Sequence, residues 1–348
     1  MATVKDLVKA FKKDYGDEVA ITSSDIPDGI RVPTGIFTLD LSMGGGFAKG
    51  KMSIVFGPES SNKTNVCLKT IAEHQRLWED EVCAFVDLEA SYDPKWAESL
   101  GVNTENLLLL QPDYAEEVAD MVEALMHTDD IGLIVLDSLA AMMTANEGES
   151  SIEKQAVGGA AGILSRFFKK TTKAQRLARR EGRTPTLICI SQTRNKIGVM
   201  YGNPEVFSGG NAPKFYANAI LRFYGKDIVE RDVNPDVPCR KETKVVIKKH
   251  KLPITGTTCA FEMAVIPHKG LKVGSCHDMP PILAHLKQFG WLSKVEGSKG
   301  WQLFGEEYPT QKACMDAVYD SPENLDKVKG AITTEVMKRA VLGDTNDD

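Results

Sequence analysis

The sequence predicts an α/β fold. A mainly parallel sheet is flanked by helices, a short N-terminal helix and strand precede it, and a small α+β domain follows it. Three observations lead there. Short apolar runs rich in β-branched residues, at 52–56, 82–87, 133–137 and 186–191, are each separated from the next by a helix-length stretch. Near-continuous apolar runs of this kind suit strands buried on both faces of a parallel sheet. The length of 348 residues, at about 150 per domain, predicts roughly two domains, and the sequence changes texture past residue 271.

Taken in order, residues 1–30 read as a separate oligomerisation element. Val4, Leu7, Val8 and Phe11 recur at i, i+3, i+4, i+7 and share one face of a short helix. So short a helix is marginal alone, so that face must rest on its own domain or on a neighbouring subunit. Residues 18–24 read as a short edge strand, and Pro27, Asp28 and Gly29 mark a turn. The core spans 31–270. Residues 279–305 read as a helix, a glycine-containing turn and a small hairpin, 322–341 as a second helix, and the acidic last residues as a frayed end.

Composition narrows the function. With 42 basic and 48 acidic residues the net charge is −6, which excludes a surface basic all over but not a clustered one that meets a phosphate backbone. Seven scattered cysteines, never spaced CxxC, argue against a disulfide scaffold or structural zinc and for a reducing cytosol. No apolar run approaches the roughly 20 residues that span a bilayer, and the N-terminus lacks the apolar stretch of a secretory signal.

The strongest motif runs through Gly57, Pro58, Glu59, Ser60, Ser61, Asn62, Lys63 and Thr64, with Asn65 following. It lies between an apolar strand and a helical stretch and fits the phosphate-loop pattern GxxxxGK[ST] at all but one position. Backbone N–H groups in such a loop cradle phosphate oxygens at a helix N-terminus. Lys63 would reach the β- and γ-phosphates and the Thr64 hydroxyl would coordinate Mg²⁺. The exception is Asn62, which replaces the second glycine; asparagine tolerates the left-handed region better than most residues.

In a parallel sheet, ligands bind beyond the carboxyl ends of the strands. Asp137, ending one strand, can hold Mg²⁺ through a bound water, or simply cap the next helix. Glu89, just past another strand, can orient or deprotonate an attacking water. Asp87 and Asp93 compete for that role, and spacing alone leaves all three open.

The stretches 32–46, 57–64, 87–94, 100–113, 134–142, 190–217 and 244–253, in this order and spacing, resemble the RecA family of homologous recombinases. The likeness covers roughly 30–270 and, more loosely, the C-terminal segment. Asn62 and the divergent C-terminal region are similar to phage-encoded members. The resemblance implies a RecA-like P-loop ATPase core that uses ATP and Mg²⁺, with Glu89 as the water-activating glutamate. It implies that Gln192 senses the γ-phosphate and relays it to a DNA-binding loop. Asp93 and Trp96 match positions around the adenine, where the family more often carries tyrosine. Lys249 and Lys251, otherwise a solvated basic strand end, match lysines that reach the neighbouring subunit's γ-phosphate.

The resemblance places DNA contact on two stretches. The second, 194–210, carries Arg194, Asn195 and Lys196 beside Ile197, Gly198, Val199 and Met200, and runs on through Gly209 and Gly210 to Asn211. Basic residues there suit phosphates and apolar ones can wedge between bases, a combination fit for sequence-neutral binding of a single strand; otherwise it is a long surface loop. The first, 147–162, includes Val157 and Gly158, and Gly162 stands where bacterial members have arginine. The helix after it carries Arg166, Lys169, Lys170, Lys173, Arg176, Arg179, Arg180 and Arg183, a solvated face or a phosphate-neutralising one, with Lys169 the best-matched contact.

The expected activity is a DNA-dependent ATPase that forms helical filaments on single-stranded DNA and promotes pairing and strand exchange with homologous duplex DNA. Its partners would be DNA, loading mediators, a single-strand-binding protein and further copies of itself, added head to tail. Val19, Ala20, Ile21 and Phe215 match interface positions. Two rivals stand beside this: a ring-forming helicase or ATPase on the same fold, and an ATP-gated DNA-coating protein with little hydrolysis.

Overall fold

A computed structural model of the chain describes residues 3–16, 29–142, 159–195, 205–207, 212–230, 235–251, 254–267 and 270–342. The first helix, α1 (Val4–Tyr15), opens on a capping box in which Thr3 and Asp6 satisfy each other's backbone N–H groups. None of its residues is buried, and Val4 is 78% exposed. Among the described residues, the apolar face read from the sequence is therefore not covered by its own domain. The predicted strand at 18–24, with Val19, Ala20 and Ile21, lies outside the described residues.

The core begins with the two-residue strands β1 (Arg31–Val32) and β2 (Phe47–Ala48), paired around α2 (Phe37–Ser42). The central strands and helices follow in alternation: β3 (Met52–Gly57), α3 (Lys63–Leu77), β4 (Val82–Asp87), α4 (Pro94–Ser99), β5 (Leu107–Leu110), α5 (Ala115–His127), β6 (Ile131–Asp137) and α6 (Gly159–Arg180). Then come β7 (Thr186–Asn195), β8 (Glu205–Phe207), α7 (Ala212–Tyr216), β9 (Ala219–Ile228), β10 (Arg240–His250) and β11 (Thr258–Ala264). The sheet order is β11-β10-β9-β3-β7-β6-β4-β5, with β8 paired to β7. From β9 to β5 every neighbouring pair is parallel, while β10 and β11 add an antiparallel edge.

Period-two alternation divides the core between the faces. Val55, Phe85, Leu133 and Ile190 pack under Val66 and Ile71 of α3. Ile54, Ala84, Ile134 and Cys189 face the other way, onto Val118 and Val122 of α5 and Phe167 and Phe168 of α6.

A third apolar cluster joins α2 to the C-terminal segment, where Phe37 and Leu41 pack with Ile282, Leu303, Met315 and Ile332. That segment holds α8 (Met279–Gln288), β12 (Leu292–Lys294), β13 (Trp301–Leu303), β14 (Glu306–Tyr308), α9 (Gln311–Val318) and α10 (Pro322–Leu342). The sequence reading gave a hairpin and two helices; the structure adds a third strand and the helix α9. Both elements are short: β14 has no fully buried residue, and α9 buries only Cys314, Met315 and Val318. Among the described residues, no helix is long and apolar enough to cross a membrane.

Register matters most for the site. Gly57 lies beside Gln192, and Asp87 beside Asp137, at the carboxyl ends of the parallel strands. β10 runs the other way: Thr243 is level with Gly225, while Lys249 pairs with Ile220, itself level with Ile54. Thr243 thus sits at the Gly57 end and Lys249 at the opposite end.

Candidate functional site

The loop between β3 and α3 holds two non-glycine residues in the left-handed region, Ser60 (φ 55°) and Asn62 (φ 68°). Asn62 thus adopts the backbone a glycine would supply, and it precedes the first turn of α3. Its Nδ2 donates to Thr243 Oγ1 at 2.8 Å, and its Oδ1 accepts from Asn65 Nδ2 at 2.9 Å. Lys241 Nζ donates to the Ser60 carbonyl at 2.7 Å. Two glycines allow this close approach. A Cβ at Gly57 would meet the Phe223 carbonyl oxygen at 2.4 Å, and one at Gly225 would meet Ser60 O and Ser61 Cα at 2.7 Å. The loop therefore lies directly against β9 and β10.

Inside the loop Lys63 is buried and its Nζ donates to the Pro58 carbonyl at 2.6 Å. Burial lowers its pKa, opposed by the charges of Asp137 and Glu89. Thr64 Oγ1 donates to Asp137 Oδ2 at 2.7 Å. Asp137 is 5% exposed. Burial pushes its carboxyl up to about 6, against the Thr64 hydrogen bond, and the nearby Glu89 charge adds to the rise. Among the described residues, Asp137 therefore accepts from the loop hydroxyl. A hydroxyl and a carboxylate together form the hard-oxygen pair that suits Mg²⁺, a metal usually held by one or two carboxylates, waters and substrate phosphates.

The three carboxylates left open by spacing have different surroundings. Asp87 is buried and accepts from the Ser91 and Tyr92 N–H groups and from Gln111 Nε2, which ties down the loop after β4. Asp93 caps α4, accepting from the Lys95 and Trp96 N–H groups. Glu89 is exposed. Its Oε1 accepts from Ser138 Oγ at 2.6 Å and from Gln192 Nε2 at 3.3 Å. Gln192 in turn lies just before Thr193–Asn195, the part of β7 that pairs with β8. Trp96 Nε1 donates to Asn65 Oδ1 at 2.8 Å, which joins α4 to the start of α3.

Lys249 and Lys251 lie away from this cluster. Lys249 Nζ donates to the Lys214 carbonyl and Lys251 Nζ to the Phe215 carbonyl at 3.3 Å. The Phe215 side chain beside them is 74% exposed.

The basic helix α6 splits in two. Lys170 pairs with Asp120 and Glu123, Arg179 donates to the Gly50 carbonyl, and Arg183, three residues past the helix end, is held by Glu181 and the Met126 carbonyl. Those cations serve the fold. Arg166, Lys169, Lys173 and Arg176 lie exposed at 3- and 4-residue spacing on the helix. A Cβ at Gly162 would meet nothing within 4 Å, so the site has room for a side chain. Arg194 and Asn195 are placed by backbone in β7. Val157, Gly158, Lys196, Ile197, Gly198, Val199, Met200, Gly209, Gly210 and Asn211 lie outside the described residues.

Sequence reasoning missed Thr243, Lys241 and Ser138. Thr243 is separated from Asn62 by 181 positions, and no local pattern marks a threonine on a charged strand as a loop anchor. Ser138 follows Asp137 directly, so its proximity to the site was legible, but its partner was not.

Residues 2–271 match the sequence model of the RecA N-terminal domain. Protein RecA of Methylococcus capsulatus is 32% identical over 326 residues, covering 91% of this chain and 90% of the relative. Protein RecA of Psychrobacter arcticus is 31% identical over 361 residues, covering 100% of this chain and 95% of the relative. A crystal structure of the RadB recombinase superposes with a TM-score of 0.47 at 22% identity, covering 67% of this chain and 96% of that one, a likeness too loose to add weight. The match across most of the chain and the near-complete coverage of bacterial relatives establish that this chain belongs to the RecA family.

Proposed function

We propose that this protein hydrolyses ATP in a reaction stimulated by single-stranded DNA, and that it assembles head to tail on that strand to promote pairing and strand exchange with homologous duplex DNA. The observation that carries the reading is the convergence of Lys63, Thr64, Asp137, Glu89 and Gln192 at the carboxyl ends of the parallel strands, with Lys249 and Lys251 towards the opposite end. A site split between opposite ends of the sheet is incomplete in one protomer and is completed by a neighbour in a heterologous, open-ended assembly.

In this reading Lys63 leaves the Pro58 carbonyl for the terminal phosphates, and the loop N–H groups hold the remaining oxygens. Thr64 and Asp137 would hold Mg²⁺, which neutralises phosphate charge when bound. Glu89, oriented by Ser138, takes the proton of the attacking water. Gln192 bridges Glu89 to the strand that enters the second DNA-contact stretch, so occupancy at one end biases the other. Lys249 and Lys251 stabilise negative charge developing on the neighbour's nucleotide. Lys169 and the exposed stripe on α6 offer phosphate contacts.

The ATP-gated coating reading requires Asn62 to spoil the loop. Its φ of 68° is the conformation a glycine would take there, which favours a working loop. Phage origin rests on Asn62 and the divergent C-terminal region alone; the relatives named above are bacterial. The seven cysteines are all free thiols, which suits work in a reducing cytoplasm. Measuring ATP turnover with and without single-stranded DNA tests the proposal. A marked rise with DNA is expected, and equal rates would contradict it.

A further inference from the structure

Where the loop pattern calls for its second glycine, this chain has a side chain, and that side chain is engaged at both ends. Asn62 Nδ2 donates to Thr243 Oγ1 at 2.8 Å. Asn62 Oδ1 accepts from Asn65 Nδ2 at 2.9 Å, and Asn65 Oδ1 accepts from Trp96 Nε1 at 2.8 Å. Four side chains thus form one relay from the antiparallel edge of the sheet, through the loop, to the helix α4. Thr243 is fully buried and Asn62 nearly so, so neither end of their bond can be taken over cheaply by solvent. A glycine at 62 could make neither of the Asn62 contacts.

We propose that Thr243 is a positioning residue for nucleotide binding. Through Asn62 it fixes the phosphate loop, and through Asn65 it fixes the indole of Trp96, at which the base ring is expected to lie. A loop held in the left-handed region at Ser60 and Asn62 without glycine needs an external brace. β10 supplies it at two points, Lys241 on the Ser60 carbonyl and Thr243 on the Asn62 amide. The inference rests on reading this loop as the nucleotide site. The residues fit such a ligand: a strand–loop–helix with a buried lysine inside it and a hydroxyl–carboxylate pair at its mouth.

The test is affinity for an ATP analogue carrying a fluorescent ribose label, with Mg²⁺, on the full chain, alongside the thermal midpoint of each variant. Thr243→Val keeps the shape and removes the acceptor, stranding a buried amide; affinity should fall about tenfold. Thr243→Ser restores the acceptor and should bind like the wild type. In an Asn62→Gly background, Thr243→Val should have no further effect, because its partner is gone. Asn65→Ala, at a half-buried position of α3 that does not touch β10, should weaken binding several-fold with less change in midpoint than Thr243→Val, and so carries the test should Thr243→Val fold poorly.

Wild-type affinity in Thr243→Val or Asn65→Ala would overturn the proposal, as would an equal loss from Thr243→Val with and without Asn62. A wild-type protein with no measurable affinity would instead refute the nucleotide reading itself, and the proposal with it.

Discussion

Thr64 Oγ1 and Asp137 Oδ2 lie 2.7 Å apart, although 73 positions separate them in the chain. The strand order brings them together. β3 and β6 flank β7 in the sheet, so the residue that opens α3 and the residue that ends β6 reach the same end of the sheet. The bond holds a carboxylate where charge is disfavoured.

That cost predicts a pH dependence. The ordinary carboxyl value is 3.8, and burial raises Asp137 to about 6. The folded state therefore holds the proton more tightly than the unfolded chain does. Stability from this group is fully present below pH 3.8 and is lost as pH rises through about 6. Asp137→Asn keeps an acceptor for Thr64 and removes the charge. It should stabilise the nucleotide-free protein at pH 7.5 by on the order of 1–3 kcal/mol, with the advantage shrinking towards pH 4. Thermal midpoints across that range check this. The same variant should lose Mg²⁺-dependent nucleotide affinity.

Glu89 should be separable from binding. Glu89→Gln keeps its size and partners but cannot take a proton. Turnover should fall by about 10²–10⁴-fold while nucleotide affinity stays within a few-fold of wild type. Ser138→Ala, which frees the carboxylate from its 2.6 Å donor, should cost about tenfold in turnover. Single-turnover kinetics beside equilibrium binding distinguish the two effects.

The placement of Lys249 and Lys251 towards the far end of the sheet predicts subunit complementation. Protein with Lys249→Ala and Lys251→Ala should bind nucleotide as well as wild type when dispersed. It should hydrolyse it poorly on DNA. Mixed with Lys63→Ala protein, it should recover part of the DNA-stimulated turnover, because a filament would then contain junctions that join an intact loop to intact lysines. Mixing curves measured at fixed total protein check this.

The exposed face of α1 should matter to assembly and not to folding. No residue of that helix is buried, so Leu7→Glu and Phe11→Glu should shift the thermal midpoint by no more than about 2 °C. Both should shorten or abolish assemblies seen by sedimentation with DNA and nucleotide.

The sequence disclosed the parts of this fold whose pattern is local. The four apolar runs became β3, β4, β6 and β7, because a strand buried on both faces needs uninterrupted apolar residues, and the loop at 57–64 announces itself by spacing. Of β10 only the basic end at Lys249 and Lys251 read as strand; its full span was hidden, because 240–250 is mostly charged and only Thr243, Val245 and Ile247 point inward. The roles of Asp87 and Asp93 were equally hidden. Whether a carboxylate tethers a loop, caps a helix or faces the site depends on which N–H groups the fold brings to it. Asn62 looked like a departure from a pattern, because its partner Thr243 lies on a strand that joins the sheet only after the rest of the core has been threaded.

The most direct test of the account is electron microscopy of the protein on single-stranded DNA with Mg²⁺ and a slowly hydrolysed ATP analogue. The account predicts an open helical filament with each nucleotide between the 57–64 loop of one subunit and Lys249 and Lys251 of the next. Closed rings, or nucleotide enclosed within single subunits with those lysines facing solvent, would contradict it.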